Sequence, residues 1–590
     1  MKLRDQYTKL YELMQGRQQP GLPALAEAMH CSERNMRHLL AKMQEQGWLQ
    51  WTAARGRGHH SQLQLLKTPD ALALDHLSGL LARGDLEQAF ASLGRAQRKQ
   101  LASRLPAYLG LSDGKQQLLR MPLYRPIASL DPLHAYGRLE AHLIRQIFSR
   151  LLTFDHQQRS LRPVLAHHWE SEDEARVWHF WLRPGLSFHD GSELGPEDVK
   201  ATFLRLRDQY SIYQNLYRHI KRIELGPNQR ISFYLQHSDY LWPHCLATAM
   251  SSIVPRQRAR NFAQFPVGCG AFKVIRNNPY QLSLQAFKSY YREGALLDEI
   301  DLWVMQPSAE QASFDLQFGY DPAQAGKQQS TMIAESGCTH LICNPAHPLF
   351  RSTQQRLAWA DWLAPETLFP SDDPARKPAA GLLPSWTHRV ARAGECPAFR
   401  RGSKLRFVTG QSNEILHLGA LIQARLQAAG LEVEWRTVNF KVQMSRDWMQ
   451  ECDLYLAREI MHDDQDFGCF EWFSADTLYR RWMPEAVWQQ IDQQLRHIQA
   501  EPDSASRMPA YARIGQQLVE DGWLVPVSHE NHFVSVAPHV AGVRMTPLGF
   551  VSFCELWLKN TPEAQQQPAN QNALDSHSGQ HHLSAYAQIR

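Results

Sequence analysis

Between residues 32 and 43 the chain carries a set of side chains suited to holding a polyanion. Arg34, Asn35, Arg37, His38 and Lys42 fall on one side of a segment whose other side is Met36, Leu39, Leu40 and Met43. That apolar spacing is the buried face of a helix. Guanidinium and ammonium groups pair with phosphate oxygens, and Arg and Asn can also read base edges through paired hydrogen bonds. Ser32 stands where a hydroxyl can accept from a free amide of the first helical turn. Arg34, Asn35 and Arg37 then lie in the turn that usually enters the major groove. A second basic group follows at Arg55 and Arg57, between Gly56 and Gly58, where a tight tip can carry arginines to phosphates or a minor groove. The expected ligand of Ser32, Arg34, Asn35, Arg37, His38, Lys42, Arg55 and Arg57 is double-stranded DNA.

No comparable set points to covalent chemistry. A nucleophile elbow, a phosphate-cradling glycine loop and a zinc-ligand helix are all absent from the sequence. The nine cysteines are scattered without a C-x-x-C pair, which argues for reduced thiols rather than a disulfide scaffold or zinc site. His167-His168 and His581-His582 are adjacent pairs with poor metal geometry. The expectation is a protein that is not an enzyme, with no catalytic residue, no cofactor and no metal.

The basic side chains need a frame, and the first 67 residues supply one. Leu3, Tyr7, Leu10, Tyr11 and Met14 recur at helical spacing, and Leu22, Leu25, Ala26 and Met29 predict a second short helix. The Ser32-capped helix follows and ends at Gly47. Trp48–Trp51 and Gln62–Leu65 read as a hairpin around the basic tip. Residues 1–67 therefore predict a mainly α, winged helix-turn-helix DNA-binding domain. They hold ten Lys/Arg against five Asp/Glu, although the whole chain of 590 residues is only +4. A basic head on a near-neutral body suggests an anionic partner for the head alone. Residues 68–118, with Leu72, Leu74, Leu77, Leu80 and Leu81, read as a helical connector and a candidate surface for a homo-oligomer. The composition, 43% hydrophobic and 21% charged, is that of a globular protein, and no apolar run reaches a membrane span, so no membrane partner is expected. The first residues carry no apolar signal segment, which places the expected location in the cytoplasm.

From residue 119 the pattern changes. Trp178-x-Phe180-x-Leu182-Arg183-Pro184-Gly185 runs into Phe188-His189-Asp190-Gly191, then Pro196-Glu197-Asp198-Val199 opens a helix. Pro266-Val267-Gly268-Cys269-Gly270-Ala271-Phe272 follows, and then Tyr290-Tyr291 with Gly294 and Leu297-Asp298-Glu299-Ile300. These three motifs, in this order, resemble those of the peptide-type (family 5) periplasmic solute-binding proteins, with Cys269 and Ala271 departing from that family's Thr and Pro. The resemblance implies a two-lobed α/β periplasmic-binding-protein-like body that closes on a ligand. It implies lobe one over 119–325, lobe two over 326–524 and a return to lobe one over 525–558. His189-Asp190 then belongs to a turn rather than a catalytic pair. Locally, Lys404–Val408, Glu414–Ala429 and Leu431–Trp435 read as a β-α-β unit. Residues 139–152 read as a helix, and 559–590, rich in Gln, Asn, His and Ser, as a disordered tail.

The two halves together resemble the SgrR family of transcriptional regulators. The shared residues include Cys31-Ser32-Glu33-Arg34, Gly47-Trp48-Leu49, Gly56-Arg57-Gly58, Ala166-His167-His168-Trp169, Leu382-Leu383-Pro384-Ser385-Trp386 and Gly542-Val543-Arg544. The resemblance implies a regulator, activating and repressing, that controls a small RNA gene during sugar-phosphate stress and its own gene. It implies a small-molecule ligand such as glucose 6-phosphate or a related sugar phosphate. Arg125, Arg183, Arg458 and Lys404 are the cations considered for the phosphate. Of the ligand-binding candidates, Arg125 and Asp463 are carried forward. The competing expectations are an exported or transport-associated peptide- or oligosaccharide-binding protein, and a ligand-independent regulator whose body only oligomerises.

Overall fold

A computed structural model describes residues 3–14, 21–52, 61–69, 117–123, 125–134, 136–304, 314–318, 329–389, 393–439, 447–546 and 549–559, with Leu72 and Val442 as single positions. The wing tip with Arg55 and Arg57, nearly all of the 68–118 connector and the tail from 560 lie outside the described residues. The chain divides into two units.

The first unit holds helices Leu3–Met14, Leu22–Ala28 and Glu33–Glu45 and an antiparallel pair of strands, Leu49–Thr52 and Gln62–Leu65. The register pairs Leu49 with Leu65 and Trp51 with Leu63. Gly47, at φ +69°, turns the chain from the third helix into the hairpin. Met36, Leu39, Leu40 and Met43 join Tyr7, Leu10, Leu25, Leu49 and Leu63 in one core. The Tyr7 hydroxyl lies between the carbonyls of Trp48 (2.9 Å) and Lys67 (2.6 Å), so the first helix is tied to both sides of the hairpin.

The second unit contains three main sheets. Ala166–Glu172, Val177–Leu182, Arg230–Leu235 and Ile220–Gly226 form an antiparallel sheet. Trp178, Phe180 and Phe188 are buried, as a motif with a core role requires. The helix Pro196–Asp208 follows, and Asp198 accepts from the Gly195 amide at 3.1 Å. Phe272–Asn277, Gln281–Ala286 and Glu299–Val304 run antiparallel, and Leu118–Leu123 adds in parallel to the last.

The third sheet has eight strands. Its longest path runs Leu316–Phe318, Val525–Val536, Gly337–Cys343, Leu454–Ile460, Lys404–Thr409, Glu432–Thr437. The β-α-β unit is present: Lys404–Thr409 and Glu432–Thr437 are parallel, and helix Asn413–Ala428 connects them. Every residue of Gly337–Cys343 is buried, as expected for a strand covered on both faces. Leu341 and Cys343 face one core with Trp359, Leu418 and Ile422. Ile342, on the opposite face, joins a core that contains Phe470, Trp472, Ile491 and Tyr511 together with lobe-one residues Phe180, Phe203 and Phe272.

Two boundaries differ from the sequence reading. The helix expected over 139–152 is Arg138–Ile147, and a strand begins at Leu152. The Gly270 amide donates to the Ile147 carbonyl at 2.8 Å, a pairing that draws the chain out of the helix. The return segment expected from 525 begins inside the lobe-two sheet. Val525, Pro526 and Ser528 pair with Gly337–Cys343, and 531–536 pairs with Gln329–Ala334, so the crossover lies within one strand.

Candidate functional site

The third helix presents its polar side outward. Ser32 accepts from the Asn35 amide at 3.3 Å, which satisfies one of the helix's free N-terminal donors. Ser32, Arg34, Asn35, Arg37, His38 and Lys42 are all exposed, while Met36, Leu39, Leu40 and Met43 are buried. Arg37 pairs with Glu33 one turn back at 3.2 Å, and both side chains are about half exposed or more (64% and 49%). An exposed pair of this kind contributes little to stability, so Arg37 can exchange Glu33 for a phosphate at small cost. The structure therefore brings six of the eight expected DNA-facing residues to one surface, with Arg55 and Arg57 outside the described residues.

The body offers a different kind of site, a face between lobes crowded with charges. Arg138, opening its helix, reaches Glu335 at 3.0 Å, and Arg458 pairs with the same carboxylate. Arg458 also faces Glu414 at 3.5 Å, and His532 stands 3.6 Å from Glu335. Burial would raise the Glu335 carboxyl, but Arg138 and Arg458 outweigh it and hold its pKa down to about 2. Nearby, burial and then the charge of Glu471 push Glu459 up to about 8. Glu471 in turn pairs with His462, whose pKa is raised because that carboxylate outweighs the cost of burial.

The two ligand candidates from the sequence sit in ion pairs. Arg125 forms a two-pronged pair with the fully buried Glu140, at 2.6 and 2.7 Å. Its fork is occupied by that carboxylate, as a structural clamp would be. Asp463 faces Arg145 across the lobes at 3.5 Å. Of the other cations considered, Arg183 donates to the Val164 carbonyl at 2.9 Å, and Arg458 belongs to the Glu335 cluster. Sequence reasoning did not single out Arg138, Arg145, Glu335 or Glu459, because no local spacing marks residues that meet only through the fold.

Further contacts join the 210–245 segment to the 464–499 helices. His244 and Asp464 approach to 2.5 Å, the Asn215 amide donates to the Ser474 carbonyl at 3.0 Å, and the Gln499 amide donates to Asp239 at 3.1 Å. Among the described residues, no group of three or more His, Cys, Asp or Glu is placed to hold a metal ion. No described helix is long and apolar enough to cross a membrane.

A DNA-binding-type helical head and a two-lobed binding-protein body define a regulator with a fused ligand-binding fold. Residues 2–116 match the family described as sugar transport-related sRNA regulator N-term. Residues 160–358 match the bacterial extracellular solute-binding proteins, family 5 middle. The HTH-type transcriptional regulator SgrR of Salmonella typhi is 31% identical over 567 residues, covering 94% of this chain and 98% of that protein. SgrR of Yersinia pseudotuberculosis is 30% identical over 577 residues, covering 95% and 99%. The chain belongs to the SgrR family of HTH-type transcriptional regulators. Its body shares its fold with the dipeptide-binding protein of Pseudoalteromonas sp. SM9913 in complex with Met-Leu, at a TM-score of 0.66 and 16% identity over 75% of this chain and 100% of that one. The binding protein AgaA of A. tumefaciens R10, in complex with agropinic acid, matches at 0.61 and 18%, over 75% and 99%.

Proposed function

We propose that this chain is a cytoplasmic one-component regulator. It binds double-stranded DNA through Ser32, Arg34, Asn35, Arg37, His38 and Lys42, with Arg55 and Arg57 at the wing tip, and its body senses a sugar phosphate. Its targets are a small regulatory RNA gene and its own gene. The observation that carries the reading is the third helix, whose exposed side is basic and polar while its apolar side is wholly buried. That division leaves the side chains suited to phosphates and base edges free for a nucleic acid. Closure of two lobes on a ligand is a hinge-type two-state element, and it changes DNA affinity only if the ligand prefers one state.

Fluorescence anisotropy on DNA upstream of the chain's own gene, at fixed salt, tests the reading. Glucose 6-phosphate should shift the affinity. Arg34→Ala with Arg37→Ala should weaken DNA binding by about tenfold or more, since each charge-assisted contact contributes about 1.5–3 kcal/mol. The double variant should also lower the steepness of the salt dependence. Unchanged DNA affinity would remove this helix from the interface. DNA binding that ignores every sugar phosphate would favour a second reading, a body that only oligomerises. In such a body the ion pairs Arg138–Glu335 and Arg145–Asp463 would be contacts that join the lobes.

A further inference from the structure

A polar groove of about 520 Å³ opens between the 210–237 segment of lobe one and the helices of 470–499. Its size is that of a small-molecule site. We infer that this groove is the binding site for the phosphate ester of a polyhydroxylated ligand, held by Arg218 and Arg496. The inference rests on the sensing reading above and places its ligand away from the Glu335 cluster.

Charge accounting at the groove leads to an anion. Asp492 is gripped by Arg480, with both carboxylate oxygens at 2.5 Å. Asp476 is held by Arg481 at 2.7 and 3.0 Å. Each carboxylate thus has a guanidinium partner of its own. Arg218 donates only to the neutral Gln214 amide oxygen at 2.9 Å, and Arg496 has no carboxylate within ion-pair distance among the described residues. Both are exposed at the rim, one from each lobe. Two guanidinium groups on one cavity, neither paired with a carboxylate, are suited to a phosphate, which takes forked hydrogen bonds from each.

The floor is suited to hydroxyl groups. His219 is 6% exposed, and its Nε2 stands 2.9 Å from Asp239 without hydrogen-bond geometry. The His237 ring stacks on His219 at 4.9 Å and meets the Gln499 amide oxygen at 3.2 Å. Burial, reinforced by His219, lowers the His237 pKa and favours the neutral ring; its Nε2–H donates to the Gln499 amide oxygen, which leaves Nδ1 as an acceptor for a hydroxyl. Because Arg218 and His219 belong to one lobe and Arg496 and Gln499 to the other, a bound ligand would bridge the two. Such a ligand favours the joined arrangement by its differential affinity for it.

Isothermal titration calorimetry on the full chain tests this, with glucose 6-phosphate, glucose and inorganic phosphate as separate titrants. Glucose 6-phosphate should bind, and the double variant Arg218→Met/Arg496→Met should weaken it by about tenfold or more. Glucose and phosphate alone should each bind more weakly than the ester. Both arginines are exposed, so the variant should keep the wild-type melting profile, and Arg496→Lys should recover part of the affinity. Equal affinity in wild type and double variant would overturn the groove and leave the sensing reading standing. No binding of glucose 6-phosphate by the wild type would overturn both. Inorganic phosphate binding as tightly as the ester would overturn the polyhydroxylated half of the assignment.

Discussion

At the scale of single residues, the body concentrates its unusual electrostatics between the lobes. Glu459 has its pKa pushed up to about 8, first by burial and then by Glu471. In the unfolded chain an ordinary glutamate releases its proton near pH 4.3. Between those values the folded protein holds a proton that the unfolded chain has lost, so stability falls as pH rises through the window. The buried histidines His142, His189, His340 and His532, all pushed down by burial, act in the opposite direction below the ordinary histidine pKa. From about pH 6.5 to 8 those histidines no longer act, and His462 and His539, both raised by a neighbouring carboxylate, add to the fall from Glu459, so the contribution of Glu459 is read from the difference between wild type and variant. Thermal melts across this range should show falling stability for the wild type and a shallower fall for Glu459→Gln, which keeps the hydrogen-bonding shape and cannot ionise. Parallel slopes for the two proteins would show that Glu459 titrates normally. None of this was legible in the sequence, where Arg-Glu-Ile is an unremarkable strand end.

At the scale of elements, capping and periodicity were readable and helix length was not. Ser32 as N-cap, Gly47 as terminator and the β-α-β unit at 404–437 follow from local chemistry, and the structure contains each of them. The early end of Arg138–Ile147 follows instead from Gly270, 123 positions further along the chain. A Cβ on Gly270 would lie 2.4 Å from the Gln146 carbonyl oxygen, and one on Gly268 would lie 2.1 Å from that of Ile147. The two glycines therefore permit a backbone approach that no side chain could share. Gly270→Ala should cost about 1–3 kcal/mol, the usual penalty of overpacking, measured by urea unfolding. A variant as stable as the wild type would mean that the helix end yields without strain.

At the scale of the whole molecule, the 465–520 helices link the two lobes of the body. They cover one face of the eight-stranded sheet, and their side chains share a core with the lobe-one sheets. Residues of the stretch expected as lobe two, 326–524, therefore share a core with residues of the stretch expected as lobe one. Phe180→Ala and Trp472→Ala, from opposite lobes, should each cost about 3–5 kcal/mol, typical of a buried aromatic truncation. Both should lower the midpoint of the same calorimetric transition, because both residues lie in one core. Two body transitions, each moved by only one of the variants, would show that the lobes unfold separately.

What is local or repeated along the chain could be read from the residues in order. That order specified the basic face opposite Met36, Leu39, Leu40 and Met43, the hairpin behind it, and the order of motifs that marks a two-lobed body. These depend on helical and strand periods and on turn chemistry, which act over a few residues. Which charges meet was settled by the folded arrangement. Arg125 was a reasonable phosphate ligand until Glu140, fifteen residues on, was seen to occupy its fork. Arg218 and Arg496 were ordinary surface arginines until the fold set them on two walls of one groove. Coulomb interactions depend on distance in space, and positions nearly three hundred residues apart acquire that distance only when the chain has folded.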